Sequence, residues 1–298
     1  MSEPRVRVVE GGVEIDVPND HPRGALVLES ARHSFVRIAL DGQTLVWARV
    51  LPALSGIAWA RATRAPLAVI PPIRVAEARA VTNWPQWFAG ALAKSDRCWL
   101  RSGRWALSDA GHEERGMPDA RQLERALALP ESFVEHWFTA ARRVVPLRAA
   151  SAPEAARVKS WRKHAREGTL PPILAGWVSA LDVYVVLDGH DRLLAARLEK
   201  TKPEVVGLYA IHETPAPSWA DTARATALAK YERVFANEPR LGELTRRQTS
   251  QHLVDAWNGS WWGYVGTTAR YGGDLATRFR DELASRALPD DVRAALLR

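Results

Sequence analysis

Five consecutive residues, Asp188-Gly189-His190-Asp191-Arg192, bring a His and an Arg to the place where a helix begins. The apolar run Val183-Tyr184-Val185-Val186-Leu187 before them reads as a buried strand. Leu193 to Leu198 after them has helical spacing. A helix start presents unpaired backbone N–H groups and the positive end of the macrodipole, so it is a ready site for an anion. Arg192 adds a planar fork that suits phosphate or carboxylate. Each of these residues also has a plainer reading. Asp188-Gly189 can be a simple connecting turn, His190 can cap or pack, and Arg192 can pair with Asp188, Asp191 or Glu154.

The elements that must hold this turn alternate cleanly. Val144-Val145-Pro146-Leu147-Arg148 is a short strand, and Ser151-Ala152-Pro153-Glu154 reads as a cap with Pro in the first helical turn. Glu154 is then a helix-start carboxylate favoured by the dipole. That helix is expected to run to Glu167, with Gly168 ending it. Pro171–Ala175 and Tyr184–Leu187 are two further strands, His190–Glu199 a second helix and Val205–Ile211 a fourth strand. Residues 142–211 carry 12 basic and 7 acidic side chains, so most of the net charge of +7 lies around the turn. A basic centre suits a polyanion, a nucleotide or a nucleic acid, or is a solvated helix face.

The 298-residue chain as a whole is of ordinary globular composition. Hairpins are expected over 5–17 and over 35–50 around Asp41-Gly42, and 66–75 is an edge segment or loop. Trp84–Ala93 is an expected helix, 98–107 another hairpin, and 119–143 helix, interrupted near Pro130. Beyond Trp219 the spacing predicts helices over 220–237, 246–257, 274–287 and 290–297. The single cysteine, Cys98, excludes an intrachain disulfide and a multi-thiolate zinc site. No P-loop, HExxH or Gly-x-Ser-x-Gly pattern occurs, and no metal ligands are assigned. No signal peptide or membrane-length apolar run is found, so a cytoplasmic protein without a membrane partner is expected. The thirteen tryptophans are scattered and are expected to fill cores and interfaces.

The order strand, helix, Gly, strand, strand, Asp-Gly-His-x-Arg, helix, strand over Val144–Ile211 resembles the ParB/sulfiredoxin-like superfamily. Its pieces are Val145-Pro146-Leu147-Arg148, Glu167-Gly168-Thr169-Leu170-Pro171-Pro172-Ile173-Leu174 and Val186 to Ala196. In many members the turn reads DGHHR, GERR or GCHR. The resemblance implies an α+β fold, with a ParB/sulfiredoxin-like core at 144–212. A β-rich region of unknown type would fill 1–143, and a helical region 213–298. It implies that Asp188, Gly189, His190 and Arg192 bind the phosphates of a nucleoside triphosphate or diphosphate with Mg²⁺. It further implies phosphotransfer or NTP hydrolysis, with Glu154 as the base and Asp188 orienting the turn or helping a metal. The turn lacks the Cys of sulfiredoxins, His190 replaces the acid of the partition proteins, and Asp191 replaces the second His of the free serine kinases. Two alternatives follow. One is a ParB-type DNA-binding protein without catalysis, using the basic helix 157–166. The other is a degenerate scaffold or interaction protein. The expected partners are a nucleotide, DNA and a second copy of the chain.

Overall fold

The computed structural model describes residues 2–9, 12–21, 24–31, 35–51, 56–61, 68–98, 100–109, 117–136, 143–178, 181, 183–213, 262–263, 270–271, 275–284, 286–297 and positions 229, 233 and 236. In chain order the first strands are β1 (Arg5–Val9), β2 (Gly12–Val17), β3 (Leu26–Ala31), β4 (Phe35–Leu40), β5 (Gln43–Leu51) and β6 (Gly56–Arg61). They are followed by α1 (Val75–Ala80), α2 (Trp84–Ala93), β7 (Gly103–Ser108), α3 (Ala120–Ala128), β8 (Ser132–His136) and β9 (Arg143–Pro146). The central elements are α4 (Ala156–Arg166), β10 (Ile173–Val178), β11 (Val183–Asp188), α5 (His190–Leu198) and β12 (Val205–Glu213). The last are β13 (Trp262–Gly263), β14 (Arg270–Tyr271), α6 (Leu275–Ala284) and α7 (Asp290–Leu297).

The fold is mixed α+β, with strands concentrated in the N-terminal part and helices at the C-terminal end. One sheet runs β1-β2-β7-β12-β10-β11-β9, and a second runs β14-β3-β4-β5-β6-β8. The central strands carry the site. β9 is parallel to β11, β11 is antiparallel to β10, and β10 is parallel to β12. β10 is buried along its whole length and β11 nearly so, as expected for strands covered on both faces. Their sequences accordingly read as continuous apolar runs rather than alternations. Pro146 is tolerated because β9 is an edge strand and its missing N–H interrupts no inner ladder. α4 and α5 pack against each other, and α3 lies against β9 and α5.

The N-terminal region does not stand apart from this core. β1, β2 and β7 continue the same sheet beyond β12, so the expected boundary at 143/144 falls within one sheet. The C-terminal helices return to the second sheet. Phe279 of α6 packs on Phe35 and Trp47, at ring-centroid distances of 4.1 and 4.8 Å, and Val292 and Leu296 of α7 join that cluster. A separate compact unit spans Ile211–Tyr264. Within it the end of β12 pairs with β13, Glu213 opposite Trp262.

Two local expectations are corrected. The 98–107 hairpin does not form. Cys98 and Leu100 are buried outside any strand, and β7 pairs with β2, its Leu107 opposite Val13. The expected helix after Pro130 is strand β8, because Phe133 and its neighbours complete the second sheet beside β6. The expected helices at 220–237 and 246–257 lie outside the described residues except for positions 229, 233 and 236, which are helical. No helix among the described residues is long and apolar enough to cross a membrane.

Candidate functional site

β11 delivers Asp188 to the end of the sheet, and Gly189 turns the chain into α5. Gly189 has φ +102° and ψ 16°, a left-handed conformation that favours glycine. Space is tight there as well. A Cβ on Gly189 would lie 2.9 Å from Arg192 Nη2 and 3.2 Å from Ile173 Cα. Gly189 has no side chain to cap the helix, so the first backbone N–H groups of α5 receive no side-chain cap from that position.

Arg192 points inward. It is 1% exposed, and its Nη2 donates to the Pro172 carbonyl at 2.9 Å and to Asp188 Oδ2 at 2.7 Å. Its guanidinium carbon lies 5.7 Å from the centroid of the Trp161 ring, a cation–π distance. Arg192 therefore latches the start of α5 to the segment before β10 and to α4. Burial pushes the Asp188 carboxyl up, but the charge and hydrogen bond of Arg192 more than reverse this, and it stays below the usual carboxylate range.

Asp191 gathers a second set of groups. Its carboxylate accepts the Ser151 backbone N–H at 2.8 Å and Arg148 Nη2 at 3.3 Å, and Arg157 Nε lies 3.5 Å away. Burial opposes the charge on Asp191, yet the Ser151 N–H and the Arg148 guanidinium lower its pKa. The Arg148 backbone N–H donates to His190 Nε2 at 3.3 Å. The segment after β9 is thus stitched to the first turn of α5 at two points. Burial, reinforced by Arg148, holds the His190 imidazole well below its usual value, at about 3. The ring is neutral at ordinary pH. Because Nε2 accepts, its proton is assigned to Nδ1.

The electrostatic balance of this corner is positive. One carboxylate, 4% exposed, serves two guanidiniums, of which Arg148 is 19% and Arg157 53% exposed. The start of α5, which is buried and has no side-chain cap, adds its own partial positive charge. Chemically, the corner can receive an anion that accepts from the two guanidiniums.

Asp188, Gly189, His190 and Arg192 share this one turn. Glu154 does not join them. It lies in the turn before α4, exposed, and pairs with Lys159 at 3.0 Å. The hydrogen bond and charge of Lys159 lower its carboxyl, which weakens it as a base. The expected cap at Ser151 is also displaced. α4 starts at Ala156 after the N-cap Ala155, and the Ser151 backbone serves Asp191 instead. The residues that spacing did not single out are Arg148, Arg157 and Asp191 in its role as a hub. The available signal was a basic residue just past the first strand and another at the start of the basic helix.

That helix, α4, carries most of its charge in ion pairs. Arg162 and Arg166 share Glu199 at 2.5 and 2.8 Å, and Lys163 lies 3.8 Å from Glu167. His164 is buried against Thr169 Oγ1 at 2.9 Å. Among the described residues no group of three or more His, Cys, Asp or Glu side chains is placed to hold a metal ion. Comparison with protein-family models, with curated proteins and with solved structures finds no match to this chain.

Proposed function

We propose that this chain binds the phosphate groups of a nucleoside triphosphate or diphosphate at the start of α5, in a core of the ParB/sulfiredoxin-like type. The observation that carries the reading is the Asp191 hub. A buried carboxylate on the first turn of a helix holds two partly exposed arginines and the N–H of a neighbouring loop. That arrangement leaves one guanidinium charge in excess, beside a helix start. The family reading draws its support from the run β9, α4, β10, β11, α5, β12 and from the parallel pairing of β9 with β11 and β10 with β12.

In this reading Arg148 and Arg157, the two partly exposed groups of the corner, contact the ligand, and the buried start of α5 behind them adds its partial charge. Asp191 is the positioning residue for both arginines. Arg192, Asp188 and neutral His190 hold the turn in shape. Mg²⁺ does not fit the protein as a resident ion. Asp188 is committed to Arg192 and Asp191 to its two arginines, so any Mg²⁺ would arrive bound to the nucleotide. No catalytic step is assigned to Glu154, whose carboxyl is turned to Lys159. The ion pairs along α4 reduce its value as a face for DNA phosphates. A cytoplasmic location belongs to the same proposal and rests on the single buried cysteine, Cys98.

The test is a thermal-shift screen at low salt against ATP, ADP and CTP, with and without Mg²⁺, on the wild type and on Arg157→Ala. Arg157 is half exposed, so its truncation leaves the fold intact. At a hundred-fold excess over Kd, binding should stabilise the wild type by about 2.7 kcal/mol, visible as a raised midpoint. The variant should show a clearly smaller shift. No shift with any nucleotide, or an equal shift in Arg157→Ala, counts against the proposal.

A further inference from the structure

The first sheet ends on β1, and this edge differs from the opposite edge of the same sheet. Every residue of β1 is exposed. Of the five exposed large apolar residues among those described, three are Val6, Val8 and Val9, at 37%, 61% and 38%. The opposite edge of the same sheet, β9, has four residues and ends in Pro146. An edge strand with free N–H and C=O groups is a template for another strand, and proteins usually blunt it with proline, a bulge or an inward-pointing charge. β1 contains no proline, and its pairing with β2 runs without a register shift from Arg5–Asp16 to Val9–Gly12.

Its two faces differ. Val6 stands opposite Ile15 and Val8 opposite Val13, and both partners are buried in the core. These two valines therefore carry the core face of the sheet onto its edge strand, where α2 packs across β2 and β1. Arg5 and Arg7 lie on the other face, beside Asp16 and Glu14 of β2. Arg7 bonds Glu14 at 2.8 Å, while Arg5 has no ion-pair partner among the described residues.

We infer that β1 is a docking edge that accepts an added strand from a partner protein, one alternating apolar with acidic residues. The apolar side chains of that strand would lie beside Val6 and Val8 and complete the core face. Its carboxylates would lie beside Arg5 and Arg7. Backbone hydrogen bonds supply the affinity and the alternation supplies the specificity. A second copy of this chain is the poorer occupant. Antiparallel pairing of two β1 strands that sets Val6 opposite Val8 also sets Arg7 directly opposite Arg7, which is destabilising. This inference is independent of the anion site.

The test uses the full chain and two labelled synthetic peptides, acetyl-Glu-Val-Glu-Val-Glu-amide and its Lys-Val-Lys-Val-Lys counterpart, followed by fluorescence anisotropy. The acidic peptide should bind about ten-fold more tightly, the size expected when two cross-strand positions are opposite- rather than like-charged. The double variant Arg5→Glu, Arg7→Glu should reverse that order. Val8→Lys should abolish binding of the acidic peptide while leaving the thermal midpoint in place, since Val8 is mostly exposed. Equal binding of the two peptides, or none, overturns the inference. So does a dimer in sedimentation that Val8→Lys dissolves, because the edge would then serve a second copy.

Discussion

Arg37 and Arg192 are both buried, at 3% and 1% exposure, and they sit in two polar networks that end differently. Arg37 donates to Thr44 Oγ1 at 2.8 Å, to Glu29 at 2.6 Å and to the Gly42 carbonyl at 2.7 Å. Thr44 passes a hydrogen bond on to Glu282 of α6 at 2.8 Å, and Trp47 Nε1 meets the same carboxylate at 2.7 Å. That network joins the second sheet to α6 and is balanced in charge, since Glu29 serves Arg37 and Glu282 serves Arg278. The network at α5 starts in the same way, with Arg192 held by Asp188 and the Pro172 carbonyl. One residue away, Asp191 carries it outward to Arg148 and Arg157, which reach solvent. A charge-balanced network fixes two elements together. One with more cation than anion, beside a helix start, also offers charge to a ligand.

The largest effects should come from cutting either network at its buried arginine. Arg37→Ala and Arg192→Ala each leave a partly buried carboxylate, Glu29 or Asp188, without its cation. Each should cost about 3–5 kcal/mol in urea unfolding. A near-zero cost at Arg192 would mean that the latch at α5 does not resemble its counterpart. Gly189→Ala comes next. The left-handed φ and the 2.9 Å approach to Arg192 should make it destabilising by about 1–3 kcal/mol, whereas Gly42 of the counterpart network shares the positive φ but has no atom close to a Cβ position, so Gly42→Ala should cost less.

A pH titration separates the two networks further, since only the one at α5 contains a histidine. The folded pKa of His190, about 3, lies below the ordinary value for histidine. Its stabilising contribution is therefore full above roughly pH 6.5 and declines as pH falls towards the folded pKa, by at most about 1.4 kcal/mol per pH unit. Asp188 and Asp191, both lowered, add losses of their own only at more acid pH, as it falls through their folded pKa values. His190→Gln keeps an acceptor for the Arg148 N–H and should flatten the curve between about pH 6.5 and 4. The flattening should be partial, because His164 is also lowered by burial and titrates with the same sign. An unchanged curve would place His190 outside the account. The smallest stability effect belongs to Arg157→Ala. A half-exposed pair is worth about 0–1 kcal/mol, so unfolding should hardly move while anion binding falls.

Much of the central fold was legible because each element carries its own punctuation. β10 and β11 are unbroken apolar runs, and Gly168 and Gly189 occupy positive-φ positions where the strand and helix readings change. The hairpins β1–β2 and β4–β5 were legible for the same reason. The strand at β7 was legible but its partner was not, and β8 was read as helix, because the partners of both are distant in sequence. β7 pairs with β2 and β8 with β6, and no local turn announces either. The turn at 188–192 was legible as a place, but the direction of each side chain was not. Spacing cannot show that Arg192 turns to Pro172, twenty residues earlier, or that Asp191 reaches Ser151 and Arg148. Asp191 stands where the free serine kinases have a second His, and in the fold its charge is spent on the arginines it positions.

Isothermal titration of ATP at low ionic strength into the wild type and into the double variant Arg148→Ala, Arg157→Ala tests the central claim most directly. The account predicts saturable binding to the wild type and its loss in the double variant, with the variant folded as judged by its far-UV spectrum. Undiminished binding in the double variant, or none in the wild type, would contradict the assignment of the α5 start as a phosphate site.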